Sequence, residues 1–190
     1  MTGGYSLLRE DIPGKWLELL QAVVPRLSKV GVLSNPDNAA WPPVEQVLRR
    51  AGDALGVQTL TIPARTAEDI ELALVQARER AQAVVVPPDP LFIEHREKLP
   101  AIAAKLRLPA VYGWSAFVAA GRLMSYSPDS AEMWERAAGY VDRILRGAKP
   151  ADLPFVEPAK YLLTVNLRAA KALRLNFPQS ILLRADEVIR

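Results

Sequence analysis

The chain has 190 residues, 50% of them hydrophobic, with 24 Lys and Arg against 21 Asp and Glu and no cysteine. That size and apolar content support a buried core in one large or two small lobes and exclude a disordered tail. Disulfides, thiolate nucleophiles and thiolate metal sites are excluded by the missing cysteines, and a net charge of +3 spread over scattered cations argues against a nucleic-acid partner. No apolar run approaches the roughly 18 residues that cross a bilayer, and Met1 to Tyr5 lacks the charged and apolar regions of a signal peptide.

In chain order, Trp16, Leu20, Val23 and Val24 recur at helical spacing and predict a first amphipathic helix stopped by Pro25. Val30 to Leu33 is a buried strand, and Ser34-Asn35-Pro36-Asp37-Asn38 is a turn, because Asn and Asp bond their own backbone and Pro fixes φ. Pro42 and Pro43 open a helix whose inner face is Val44, Val47, Leu48, Ala51 and Leu55 and which Gly56 closes. Gln58 to Ile62 is the next strand. Thr66 to Asp69 is a variant capping box that starts a helix with Ile70, Leu74, Ala77 and Ala81 on one side.

Ala83-Val84-Val85-Val86 has no polar alternation, which suits a strand buried on both faces of a parallel sheet, and it stops at Pro87-Pro88-Asp89-Pro90. Asp89 therefore falls at a strand's carboxyl end, the edge where open α/β sheets bind ligands. Phe92 to Leu106 is a helix that Pro100 should kink or restart. Pro109 to Gly113 is a fourth strand and Trp114 to Ala120 a short helix. Strand starts near 30, 58, 83 and 110 recur about every 27 residues, the size of a βα unit. Leu123 to Tyr126 is a fifth strand, followed by a longer helix from about Ala131 to Leu145 with Met133, Trp134, Ala137, Val141, Ile144 and Leu145 on its apolar side. Gly147 to Pro154 is an exposed linker by composition. Tyr161 to Val165 is a last strand, Ala169 to Leu173 a short helix, and the tail from Ser180 ends in a helical turn. With only one strand, this final third is expected to complete a lobe whose other strands lie elsewhere.

Catalytic patterns are thin. The sole histidine, His95, lies in Glu94-His95-Arg96-Glu97 on a charged helix face; nucleophile-elbow and glycine-rich phosphate motifs are absent; Glu68 and Asp69 sit at a helix start. Neither an enzymatic activity nor a metal or other cofactor is expected.

Six motifs occur in register: Gly14-Lys15-Trp16-Leu17-Glu18-Leu19-Leu20, Leu33-Ser34-Asn35-Pro36-Asp37-Asn38, Pro88-Asp89-Pro90-Leu91-Phe92, Leu108-Pro109-Ala110-Val111-Tyr112-Gly113, Leu123-Met124-Ser125-Tyr126-Ser127-Pro128-Asp129 and Gly147-Ala148-Lys149-Pro150-Ala151-Asp152-Leu153-Pro154. Together they resemble the ABC transporter substrate-binding proteins related to tryptophan/tyrosine uptake. The resemblance implies an α/β, flavodoxin-like fold of the type I periplasmic binding proteins. It further implies two lobes that close on a small molecule, an amino acid or a related organic compound, and an ABC permease as partner. A periplasmic or lipid-anchored extracellular location follows for the family, with no signal in this chain. Against that pattern the sequence starts late, lacking the first half of the first lobe. Residues 1–124 are then the second, ligand-binding lobe with an N-terminal arm, and 125–190 the hinge, near Ser125 to Asp129, and the segment returning to the first lobe. The alternatives are a sensory or interaction domain of the same fold, or a flavodoxin-like enzyme.

The expected ligand contacts are Asn35, Asp89, Tyr112, Ser125 and Tyr126. Asp89 either stabilises the start of the following helix or takes an α-ammonium group through a charge-assisted bond. Asn35 and Asn38 are turn formers or donors. Tyr112 and Tyr126 end strands, where an aromatic stacks on a ligand and orients it by its hydroxyl, or packs half-buried. The resemblance adds a hydrogen bond from Ser125 in the hinge region. Trp41 and Trp114 are walls of a pocket or cover for the core. Because the partner strands of the returning segment are missing, it is expected either to fold back on the second lobe or to pair with its counterpart in another copy, a homodimer through residues 131–165 being favoured.

Overall fold

The structure is a computed structural model that describes residues 11–115, 117, 122–154 and 156–190. A seven-stranded sheet organises it, in the order β2-β1-β3-β4-β5-β6-β7. The strands are β1 (Lys29–Ser34), β2 (Gln58–Pro63), β3 (Ala83–Val86), β4 (Ala110–Tyr112), β5 (Met124–Pro128), β6 (Tyr161–Asn166) and β7 (Glu187–Ile189). The first five are parallel, β6 is antiparallel to β5, and β7 is parallel to β6. The order 2-1-3-4-5 is that of flavodoxin-like sheets, which is the α/β class the strand rhythm predicts.

Successive residues of each strand feed opposite cores. Val30, Val32, Val85, Val111 and Met124 join α1 (Ile12–Val23) and α2 (Trp41–Leu55) on one face, with α7 (Leu167–Leu173) and α8 (Gln179–Leu182). Leu33, Val84, Val86, Ala110 and Tyr112 join α3 (Asp69–Arg80), α4 (Pro90–Glu94) and α5 (Lys98–Lys105) on the other. Burial on both sides explains the unbroken apolar runs. Trp16, wholly buried on α1, is the largest side chain of the first core.

Local signals behave as their chemistry dictates. Gly56 closes α2 at φ +69, and Pro42 and Pro43 occupy the first turn of that helix. Asp69 Oδ2 accepts from the Arg65 and Thr66 amides while Thr66 Oγ1 accepts from Asp69 N, the reciprocal capping expected there. Pro100 does not kink a long helix; the break falls at residues 95–97, and Pro100 sits in the first turn of α5, where no backbone N–H is required. The helix expected over Trp114 to Ala120 lies largely outside the described residues.

The tail needs correction. Of the two fates open to Tyr161 to Val165, this strand takes the fold-back one instead of the favoured pairing between copies: β6 pairs along its length with β5 and bonds β7 on its far side. The helical turn is α8, and beyond it the chain forms β7 instead of ending. Ser125 to Pro128, expected near a hinge, are ladder residues of β5; the chain leaves the sheet at Asp129 and rejoins it at Lys160, whose carbonyl accepts the Asp129 amide at 3.0 Å. Between those points runs α6 (Ser130–Leu145), which buries none of its residues. Its apolar side is open, with Trp134 72% and Leu145 81% exposed.

Candidate functional site at the carboxyl edge of β1 and β3

In a sheet ordered 2-1-3-4-5 the connections diverge between β1 and β3, opening a crevice at their carboxyl ends. The polar residues found there come from two turns. Pro87 and Pro88 end β3, since neither supplies a ladder N–H. Asp89 follows in extended conformation as the N-cap of α4, accepting the Leu91 amide on Oδ1 at 2.9 Å. After β1 the chain turns through Asn35 and Asn38. Asn35 Oδ1 accepts from Asp37 N at 3.1 Å and Asn38 Oδ1 from Ala40 N at 2.9 Å. Both amide oxygens are thereby committed to the backbone, and both Nδ2 groups are turned toward the second turn.

They meet on Asp89. Asn35 Nδ2 donates to Oδ1 at 3.2 Å and Asn38 Nδ2 to Oδ2 at 2.7 Å. Asp89 is only 4% exposed, and the donors bonded to it, two side-chain amides and one backbone amide, are all neutral. A carboxylate has about four acceptor positions, so its hydrogen-bonding capacity is not exhausted by these contacts. Burial raises the strength of any further charge-assisted bond. The arrangement performs both roles open to Asp89 at the sequence level, capping a helix and presenting a fixed negative group. On the rim, Asp37 pairs with Arg65 Nη1 at 2.6 Å, both well exposed.

The other expected contacts sit on the adjacent strands. Tyr112 and Ser125 are partners in the β4–β5 register. Tyr112 is 1% exposed and stacked on Phe117 at 4.8 Å, and burial pushes its phenol above the ordinary range against the opposing charge of Arg122. Ser125 is buried, and its Oγ has no partner among the described residues. Ser127 Oγ is in the same condition two residues along β5, which the period of a strand places on the same face. Sequence reasoning passed over Ser127, although the Ser-Tyr-Ser alternation was its signal. Tyr126 points to the opposite face, half-buried and stacked on Tyr161 at 5.6 Å, while its carbonyl accepts from Trp16 Nε1. Trp41 and Trp114 are half-buried, each packed against one of the cores. Thus Asn35 and Asp89 are in contact, with Asn38 as a third member; Tyr112, Ser125 and Tyr126 are neighbours of one another on β4 and β5. His95 is half-buried at the end of α4, and no metal-binding group of three or more His, Asp or Glu occurs among the described residues.

Comparison with known proteins agrees with this architecture. No curated protein matches the chain. A solved structure of a conserved domain protein from Vibrio cholerae superposes with a TM-score of 0.90 at 22% identity, over 98% of this chain and 62% of its own. The ABC domain in complex with L-Trp from Streptococcus pneumonia gives 0.87 at 21%, over 93% and 60% respectively. A ligand-free, open substrate binding protein with adhesive properties from Clostridium difficile gives 0.71 at 20%, over 98% and 62%. The chain therefore spans about three-fifths of the length of the solved structures it resembles. The model of one family, ABC transporter substrate binding protein, matches residues 10–189, nearly the entire sequence, and the chain belongs to that family.

Proposed function

We propose that this chain is the second lobe and the returning segment of a substrate-binding component for ABC import, and that it holds one wall of a site for a small molecule bearing a cationic group. The observation that carries the reading is the buried Asp89 carboxylate fixed by Asn35 and Asn38 at the β1/β3 crevice. An α-ammonium group bonded to it gains a charge-assisted contact in a partly dry site. An amino acid or related compound is the corresponding ligand class; family membership and the L-Trp held by the Streptococcus relative support it. Ser125 and Tyr112 back the site from one face of the sheet, and Tyr126 stands on the other face of β5. The partner is an ABC permease, and the location is periplasmic or extracellular and lipid-anchored, as the family implies. Closure of two lobes traps the ligand, with the crossings at Asp129 and Lys160 as the flexing points.

Calorimetric titration with a panel of amino acids tests this reading. The expected result is saturable binding by at least one of them, weakened about tenfold or more by Asp89→Ala. Equal affinity of the variant and the parent protein removes Asp89 from the site.

A second reading concerns assembly and rests on α6. An apolar stripe containing Trp134, Val141, Ile144 and Leu145 lies open to solvent, and burying each such side chain is worth roughly 1.5–3 kcal/mol. Of the expected returning segment, the excursion 130–160 is the part that reaches toward a first lobe. We infer from this open stripe that two copies of the chain pair through residues 131–165, α6 against α6. Light scattering over a dilution series is expected to give a dimer that Trp134→Glu dissociates; a monomer at every concentration removes this reading.

A further inference from the structure

A second polar feature lies at the opposite edge of the sheet. Arg122, immediately before β5, is 3% exposed. Its Nη1 donates to the carbonyl of Trp114 at 3.3 Å and its Nη2 to that of Ser115 at 2.8 Å, so the terminal nitrogens hold down the chain beyond β4. Its Nε is buried and has no partner among the described residues. Glu187, the carboxylate whose charge acts on it, is not ion-paired with it and accepts instead from Thr164 Oγ1 at 3.3 Å. Burial lowers the guanidinium from its ordinary 12.5 to about 9, which leaves it a cation at neutral pH. A buried cation without an anion destabilises the fold, so an anion that reaches it is favoured.

Arg122 lines a cavity of about 310 Å³, within the range of small-ligand sites. The cavity lies between α5 and α7, beside the residues that precede β4 and β5, and reaches Tyr112 at the end of β4. Arg107, exposed and held at φ +50 just before β4, supplies a second cation to its wall. The remaining wall is mostly apolar or small, with Pro100, Ala103, Leu108, Leu123 and Leu173, and includes the buried phenol of Tyr112. Two guanidinium groups above an aliphatic lining define a complementary shape: one anionic head that accepts from a planar donor, on a short hydrocarbon body.

We infer that this cavity between α5 and α7 binds a small aliphatic carboxylate, whose head accepts from Arg122 Nε and is attracted by Arg107 and whose chain lies on Ala103, Leu108 and Leu173. The site does not use Asp89, Asn35 or Asn38, and shares only Tyr112 with the wall behind their crevice. Structural use of Arg122 alone accounts for the two terminal nitrogens and leaves both the buried Nε and the cavity beside it unexplained.

The test is nuclear magnetic resonance of the arginine Nε–H groups during titration with hexanoate. One protected Nε–H signal, assigned by its loss in Arg122→Lys, is expected to shift in a saturable manner, while neutral hexanamide leaves it in place. Ala172→Phe fills the mouth of the cavity from α7 without altering Arg122, and is expected to weaken hexanoate about tenfold or more at unchanged melting temperature. Because this variant keeps the buried arginine, the result does not depend on Arg122→Lys being well folded. Absence of a shift with hexanoate, an equal shift with hexanamide, or unaltered binding by Ala172→Phe overturns the inference.

Discussion

The indole Nε1 of Trp16 donates a 2.8 Å hydrogen bond to the carbonyl of Tyr126, tying the first helix to the fifth strand across 110 residues of sequence. The donor is wholly buried, and the bond is made at the point where β5 approaches its exit from the sheet. Trp16→Phe keeps most of the ring and removes the donor. The expected loss is about 1–3 kcal/mol, from an unsatisfied buried group and a small cavity. Urea denaturation checks it: the midpoint falls while the slope is unchanged.

Gly113 and Gly139 make opposite predictions for the same substitution. A Cβ at Gly113 would stand 2.6 Å from both Pro88 Cδ and Trp16 Cζ2, whereas one at Gly139 meets nothing within 4 Å. Gly113→Ala must displace a proline ring and a packed indole, an overpacking cost of about 1–3 kcal/mol. Since Pro88 precedes Asp89, the variant is also expected to weaken ligand capture at the β1/β3 crevice. Gly139→Ala, inside α6, is expected to raise stability by up to about 1 kcal/mol through backbone entropy. Parallel melting curves of the two variants compare the signs directly.

Asn38→Ala tests the carboxylate cluster from the donor side. It deletes the 2.7 Å bond to Asp89 Oδ2 and the side-chain acceptor of Ala40 N. An expected loss of about 1–3 kcal/mol follows from leaving a buried carboxylate oxygen short of a donor. Asn38→Asp is expected to be worse, because it sets a second negative group against Asp89. Denaturation of the two variants in parallel gives the order.

The start of α6 carries a pH dependence. Asp129 is held below its ordinary 3.8, first by the Glu132 backbone amide and then by that of Ala131, with Lys160 assisting. A carboxylate whose value is lower in the folded than in the unfolded chain stabilises the fold above its unfolded value and loses that contribution as pH falls through the lower, folded one. Between pH 4 and the acid limit the first turn of α6 is therefore expected to loosen, seen as faster exchange of the Ala131 and Glu132 amides. Asp129→Asn keeps an N-cap acceptor without titrating, and is expected to flatten this profile.

The first five strands and the first three helices were legible because each carries an independent local signal: apolar runs without alternation, prolines in first helical turns, Gly56 after Leu55, and the Thr66–Asp69 box. β7 was not, since Glu187-Val188-Ile189 is too short to show a period and is a strand only through its pairing with Thr164 to Asn166. β6 was legible as the strand Tyr161 to Val165, but its partners β5 and β7 are invisible in its own residues. At the crevice, Asn35 and Asp89 were found separately, from turn chemistry and from the strand's end. That both Asn amides converge on one carboxylate depends on β1 and β3 being neighbours, a fact of topology with no local sign.

Because β6 runs antiparallel to β5, the chain departs and re-enters at one place: the Asp129 amide is bonded to the Lys160 carbonyl, and Lys160 Nζ lies 3.5 Å from Asp129 Oδ2. Two strand ends so placed are the ends of an ordinary hairpin, which a two-residue turn is long enough to join. Everything from Ser130 to Ala159 is then an insertion into a hairpin, and the loop-closure cost of such an insertion grows only slowly with its length. The sheet thus treats α6 and the linker behind it as cargo, free to be lengthened, exchanged or deleted without a change of register anywhere else in the molecule.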